Sequence, residues 1–245
     1  MLKTLDKGLQ VLELFLETEQ KNLSLAEVAG KLDLNKTVAF RILQTLKARS
    51  FLIQEKDKRF RLGTKLFLFQ EVINNLWDIK ELAHEEMVNL SNSTRESVFL
   101  NILSDDLHSI CIHKIEGPQA IKVSFALGTE IPLHAGASGQ VLLAFLPPET
   151  QDKYFEREMV SFTPATLVAK EDVIKRCKSI KSNGHAISIG EVDMGIMAMA
   201  APLTGKNGKV VAGLTLACPQ ARVDKDRKKE LLSKLLSSAD KINSL

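Results

Sequence analysis

Apolar positions in the first 63 residues recur at helical spacing and then give way to alternation. Leu5, Leu9, Leu12 and Leu16 repeat at intervals of three and four, with Val11 and Phe15 widening the stripe, which predicts a helix from about Thr4 to Glu17 whose leucines face a core. Ser24 followed by Glu27 has the spacing of a capping box, and Leu25, Val28, Ala29 and Leu32 supply one apolar face, so a short second helix is expected. After a break at Gly30–Leu34, Asn35 is placed to cap a third helix reaching Ala48. Its two sides differ. Val38, Ala39, Ile42, Leu43 and Leu46 form the expected buried stripe, whereas Lys36, Thr37, Phe40, Arg41, Gln44 and Lys47 fall on the other side. Phe51–Glu55 and Arg59–Leu62, separated by Lys56-Asp57-Lys58, then read as a β-hairpin ending at Gly63, with Arg59 and Arg61 on one face.

Farther along, residues 64 to about 93 read as one helix. Leu66, Phe67, Leu68, Phe69, Val72, Ile73, Leu76 and Trp77 wrap it too widely for a single buried face, so it is expected to be covered on two sides. Strands are expected at 98–103, 107–115 and 121–125, then a helix from about Ser138 to Phe145 that stops before Pro147-Pro148. A further helix at Glu171–Asn183 ends on Gly184, followed by strands near 185–189, 194–203 and 210–217 and a closing helix at 223–243. The whole is α+β: an N-terminal winged helix-turn-helix over residues 1–63, a linker helix region over 64–93, and a domain with a mostly antiparallel sheet over 94–245.

Charge sharpens the reading of the N-terminal part. Residues 1–63 hold 12 Lys and Arg against 8 Asp and Glu, while residues 64–245 hold 21 against 22. The excess is concentrated in residues 34–63, where eight basic residues face only Glu55 and Asp57. Three helices followed by a basic hairpin match what major-groove reading requires, because Lys, Thr, Arg and Gln side chains meet base-edge and phosphate acceptors. The expected DNA contacts are therefore Lys36, Thr37, Phe40, Arg41, Gln44 and Lys47 from the third helix and Lys58, Arg59 and Arg61 from the hairpin, on double-stranded DNA.

The rest of the composition excludes more than it suggests. No apolar run is long enough to span a bilayer and the N-terminus lacks a signal-peptide pattern, so a cytoplasmic protein is expected. Cys111, Cys177 and Cys218 lie far apart without zinc-ligand spacing, and neither metal nor cofactor is expected. An enzyme using His134 near Ser138, or Cys218 with a distant His, and a protein-binding adaptor are the rival readings; no P-loop, G-x-S-x-G or H-E-x-x-H motif supports the former.

The segment LSLAEVAGKLDLNKTVAFRILQTLKARSFL with FRLGTKL resembles the helix-turn-helix and wing of the IclR family of bacterial transcriptional regulators. Downstream, PLHAGASGQVLLA (Pro132–Ala144), GHAISIGEVDMGIMAMAAPL (Gly184–Leu203) and VVAGLTLACPQAR (Val210–Arg222) resemble that family's effector-domain blocks in the same order. The resemblance implies a homodimer or homotetramer on palindromic operator DNA, and a GAF-like domain that binds a small molecule. It departs in the recognition helix, where Val38 and Phe40 replace the family's usual Thr and frequent His, so base specificity does not carry over. Positions matching the effector clasp of oxo-acid sensors are Ser188, Ala198, Thr215 and Ala217, where the two alanines replace Cys and Ser; a larger or more apolar carboxylate is then expected. Gly136, Ala137 and Ser138 add candidate backbone amides at a helix start, which favour an anion, and Met197 is a candidate for adaptable apolar lining.

Overall fold

The computed structural model describes residues 2–17, 22–69, 79–205 and 208–244, and the chain divides into two compact units, residues 1–77 and 78–245. The first contains α1 (Lys3–Glu17), α2 (Leu25–Lys31), α3 (Lys36–Ala48) and a hairpin of β1 (Leu52–Gln54) and β2 (Phe60–Leu62). Val11, Leu14, Leu23, Val28, Ile42, Leu43, Leu52 and Phe60 pack into its core. The α1 stripe is only partly as expected: Val11, Leu12 and Phe15 meet the core, but three of its leucines do not. Leu5, Leu9 and Leu16 are exposed, Leu16 to 81%, while Val11 and Leu14 point inward. One helix carries two neighbouring apolar stripes, and the core selects the one that meets α3 and β2. Val38 of α3 is likewise exposed, leaving Ala39, Ile42 and Leu43 as the buried face.

The expected 64–93 helix is described in two parts, helical turns at 65–69 and α4 (Ile79–Thr94); Val72, Ile73, Leu76 and Trp77 lie outside the described residues.

The second unit is built on a six-stranded antiparallel sheet, in the order β5-β4-β3-β8-β7-β6. Its strands are β3 (Ser97–Leu103), β4 (His108–Ile115), β5 (Glu130–Pro132), β6 (Ala186–Ile189), β7 (Ile196–Thr204) and β8 (Val210–Pro219). Both faces are covered, so the central strands read as continuous apolar runs. On one face Met197, Met199, Leu214, Leu216 and Cys218 pack with Met87 and Leu90 of α4 and with Leu231 and Leu235 of α8 (Lys225–Asn243). The other face receives α5 (Gly136–Phe145), α6 (Pro148–Phe155) and α7 (Lys170–Asn183), with Leu133, Val141, Leu143, Tyr154, Val173 and Ile180 in its core.

One expectation changes here. Residues 121–125 form no strand; the fifth strand is Glu130–Pro132, and the intervening segment lays Val123 and Phe125 against Phe99 and Cys111 instead of pairing its backbone. As expected, α5 ends at Phe145 before Pro147-Pro148, and Pro148 then occupies the first turn of a separate helix, α6, where its missing N–H costs nothing.

Candidate DNA-reading face and effector pocket

Local chemistry fixes the helix pair. Ser24 Oγ accepts the Glu27 amide at 3.3 Å and the Ser24 amide donates to the Glu27 carboxylate at 2.7 Å, closing the capping box of α2. These bonds and the adjacent Arg59 guanidinium hold the Glu27 carboxyl well below its ordinary value, at about 2. The turn passes through Asp33 at φ 49°, and Asn35 Oδ1 accepts the Thr37 amide at 2.8 Å to start α3. With α2 fixed and the inner face of α3 in the core, Lys36, Thr37, Phe40, Arg41 and Lys47 project outward and Gln44 is half-buried. Lys47 Nζ donates to Gln54 of β1 at 2.9 Å, tying the reading helix to the hairpin.

The hairpin arginines serve the fold rather than standing free. Arg59 Nη2 donates to both carboxylate oxygens of Glu27, at 2.9 and 3.1 Å, and to the Asn22 carbonyl, while Arg61 pairs with Glu55 at 2.8 Å. Exposed cations at the hairpin tip are Lys56 and Lys58, the latter at φ 65°.

In the second unit a cavity of about 20 Å³ lies between the sheet and α5, lined by Phe99, Asn101, Cys111, Phe125, Thr129, Ile131, Ser138 and Thr215. That is room for one water molecule. Antiparallel register puts Asn101 opposite Cys111 and Phe99 opposite Thr215, so their side chains share a face. Ala198 pairs with Ala217 beside them and joins the same apolar cluster. Thr215 and Ser138 therefore reach the cavity, while Ala198 and Ala217 do not line it but pack in the cluster with Phe99, Cys111 and Phe125. Met197 does not line the cavity either: strand alternation turns it into the opposite core with Leu216.

Gly136, Ala137 and Ser188 meet each other instead of an open space. The Ala137 amide donates to Ser188 Oγ at 2.9 Å, and the Gly136 amide donates to the carboxylate of buried Glu191 at 3.2 Å. Glu191 also accepts Gln140 Nε2 at 2.5 Å and Arg176 Nη1 at 3.1 Å. Burial pushes its carboxyl up from the ordinary value, with Arg176 and the amide donors pulling the other way. Sequence reading missed Glu191, Asn101 and Ser109. Their only signal is a polar residue on a buried strand or in a glycine-flanked turn. Asn101 Oδ1, Ser109 Oγ and Thr215 Oγ1 are buried without a protein partner among the described residues.

His134 bonds Tyr154 at 2.7 Å and the Val160 carbonyl at 2.9 Å, which accounts for both ring nitrogens, and Cys218 sits in the opposite core with its thiol pushed up to about 12 by burial. Neither is placed as a nucleophile–base pair.

A capped helix pair with an outward cationic face and a short wing, carried on one chain with a pocketed α+β unit, defines a winged helix-turn-helix transcriptional regulator with an effector-binding domain. Residues 4–56 match the IclR helix-turn-helix domain and residues 70–244 the bacterial transcriptional regulator IclR C-terminal domain. The chain belongs to the IclR family. It is 29% identical over 242 residues to the HTH-type transcriptional regulator KipR of Bacillus subtilis, covering 98% of this chain and 96% of that one. Among solved structures it is similar to Thermotoga maritima IclR at 27% identity and a TM-score of 0.81, covering 100% and 98% of the two chains. An IclR homologue of Microbacterium hydrocarbonoxydans complexed with 4-hydroxybenzoate shares the fold at a TM-score of 0.86 and 19% identity, covering 98% of each chain.

Proposed function

We propose that this regulator binds a palindromic operator as a homodimer, with one α3 in each of two successive major grooves, and that a small organic molecule in the cavity between the sheet and α5 changes its operator affinity. Residues 1–63 would serve as the DNA-binding part, 64–93 as the linker and 94–245 as the effector-binding part of a cytoplasmic protein; among the described residues no helix is long and apolar enough to cross a membrane. The observation that carries the reading is the α3 surface, where Lys36, Thr37, Arg41 and Lys47 are exposed on a helix whose other side is locked into the core. Dimerisation is supported by Leu2, just before α1, and by Leu5, Leu9 and Leu16 within it, which are exposed at coiled-coil spacing. A homologue titled as a 4-hydroxybenzoate complex supports a small-molecule ligand. The expectation of a carboxylate rested on the resemblance to oxo-acid sensors and on backbone amides at the start of α5, of which those of Gly136 and Ala137 are already engaged.

The test is fluorescence anisotropy of the full chain on duplexes covering the region upstream of its own gene, across a salt series. Specific binding should exceed binding to scrambled duplex by about a thousandfold or more at physiological salt. Equal affinity for both would overturn the reading.

A further inference from the structure

Resting on that effector-pocket reading, we infer that the cavity between the sheet and α5 is selective for an uncharged molecule, one that carries a carboxamide or hydroxyl group on an otherwise apolar body. Three observations converge on it.

The first is the polar inventory. Asn101 and Thr215 are each 4% exposed, line the cavity, and present Oδ1 and Oγ1 with no protein partner among the described residues. Ser109 is on the same face of β4 as Cys111 and adds a third orphaned oxygen. Buried polar atoms in folded proteins are almost always paired, so three on one sheet face mark the place where a ligand supplies the missing bonds. A side-chain amide offers a donor and an acceptor together, and hydroxyls offer either. These groups match a neutral partner that also offers both.

The second is the absence of a counter-charge. Among the described residues that line the cavity there is no Lys, Arg or His. Cys111, its one titratable side chain, has its thiol pushed up by burial and stays neutral. A carboxylate entering here would lose its hydration without gaining a cation.

The third is that the anion place beside the cavity is already filled from within. The first two amides of α5, whose Ser138 lines the cavity, are taken by the Glu191 carboxylate and the Ser188 hydroxyl. Every group touching the Glu191 carboxylate, namely Arg176, Gln140 and the Gly136 amide, is a donor, which suits the ionised form. The helix-start amides that would receive an incoming anion are therefore already occupied, by a carboxylate whose charge Arg176 balances and by a hydroxyl.

Phe125 forms part of the cavity wall. Phe125 lies edge-on to Phe99 at 5.4 Å, and its segment is pinned by Arg222 on the Ile121 carbonyl and by the Gly128 amide on the Cys111 carbonyl. On this proposal a ligand larger than water displaces Phe125, and its apolar body takes the place of that ring.

The experiment is titration calorimetry of the full chain with fragments on one skeleton, benzamide, benzyl alcohol and benzoate, together with propionamide, 1-propanol and propionate. The amide or alcohol should bind at least about tenfold tighter than the matching acid. Thr215→Val and Asn101→Leu should each weaken amide binding at least about fivefold, because they remove the paired group, while melting curves verify folding. Glu191→Gln should narrow the gap between amide and acid. If the acids bind as tightly as the amides and the Thr215 and Asn101 variants weaken them, the sensor reading stands and the charge selectivity is overturned. If no fragment binds, or binding is unchanged in both variants, the cavity is not the effector site and both readings fall.

Discussion

Replacing Arg176 by Met tests whether the second unit depends on the charge pair behind α5. In the wild-type chain Arg176 Nη1 reaches Glu191 Oε1 at 3.1 Å, Gln140 Oε1 at 3.0 Å and the Ile187 carbonyl at 2.9 Å, while the Glu191 side chain is 4% exposed. Methionine keeps much of the aliphatic stem but leaves Glu191 with only the Gly136 amide and Gln140. Removing one member of a buried pair typically costs about 3–5 kcal/mol. Because the Arg176 side chain is itself 30% exposed and two donors remain, about 2–3 kcal/mol is the reasoned loss at pH 7. In a unit of this size that lowers Tm by roughly 5–10 °C. The pH dependence has a definite sign. Burial raises the folded-state carboxyl above its ordinary 4.5, so the unfolded chain ionises first and stability falls as pH rises past that value. Without Arg176 the rise is larger, so the deficit against wild type should be full at pH 7 and shrink as pH falls toward 4.5. Scanning calorimetry at pH 5 and 7 measures it, and Arg176→Met/Glu191→Leu should recover most of the loss. A deficit under about 0.5 kcal/mol, or one equal at both pH values, would refute the reasoning.

Three further outcomes follow from the same geometry. Thr215→Val removes a buried hydroxyl that has no protein partner among the described residues and keeps the β-branched shape, so Tm should rise by about 2–4 °C in differential scanning fluorimetry even as amide binding weakens. Glu27 is held at about 2, so its stabilising effect is present above the ordinary carboxylate value of 4.5 and fades as pH falls toward 2; Glu27→Gln should flatten this acid-limb dependence of melting. Lys58→Ala, at the exposed hairpin tip, should weaken binding to specific and scrambled duplex alike and reduce the salt slope by about one.

The DNA-binding unit was legible in the sequence where local chemistry decides structure. Ser24 with Glu27 and Asn35 before Lys36 announce helix starts through bonds made within three residues, and the structure contains those bonds. Legibility fails where tertiary packing chooses between two locally acceptable arrangements. Helix α1 is apolar around much of its circumference, and only the position of α3 and β2 decides that Val11, Leu12, Leu14 and Phe15 turn inward while Leu5, Leu9 and Leu16 do not. Ile121–Phe125 alternates like a strand, yet Val123 and Phe125 are spent on covering Phe99 and Cys111. The facing of Met197 is a matter of strand parity, which one residue of register inverts. Glu191 was invisible for another reason: its partners Gly136, Gln140 and Arg176 are 55, 51 and 15 residues away, and no spacing encodes that meeting.

The regulator account stands or falls most directly on nuclease footprinting of the region upstream of the chain's own gene, with wild type and Arg41→Glu side by side. The wild-type chain should protect two half-sites with centres about 10–10.5 base pairs apart, or a multiple of that, related by a dyad, and the variant should protect neither at the same concentration. Protection that persists in Arg41→Glu, or no protected dyad with wild type, would contradict the placement of α3 as the reading helix.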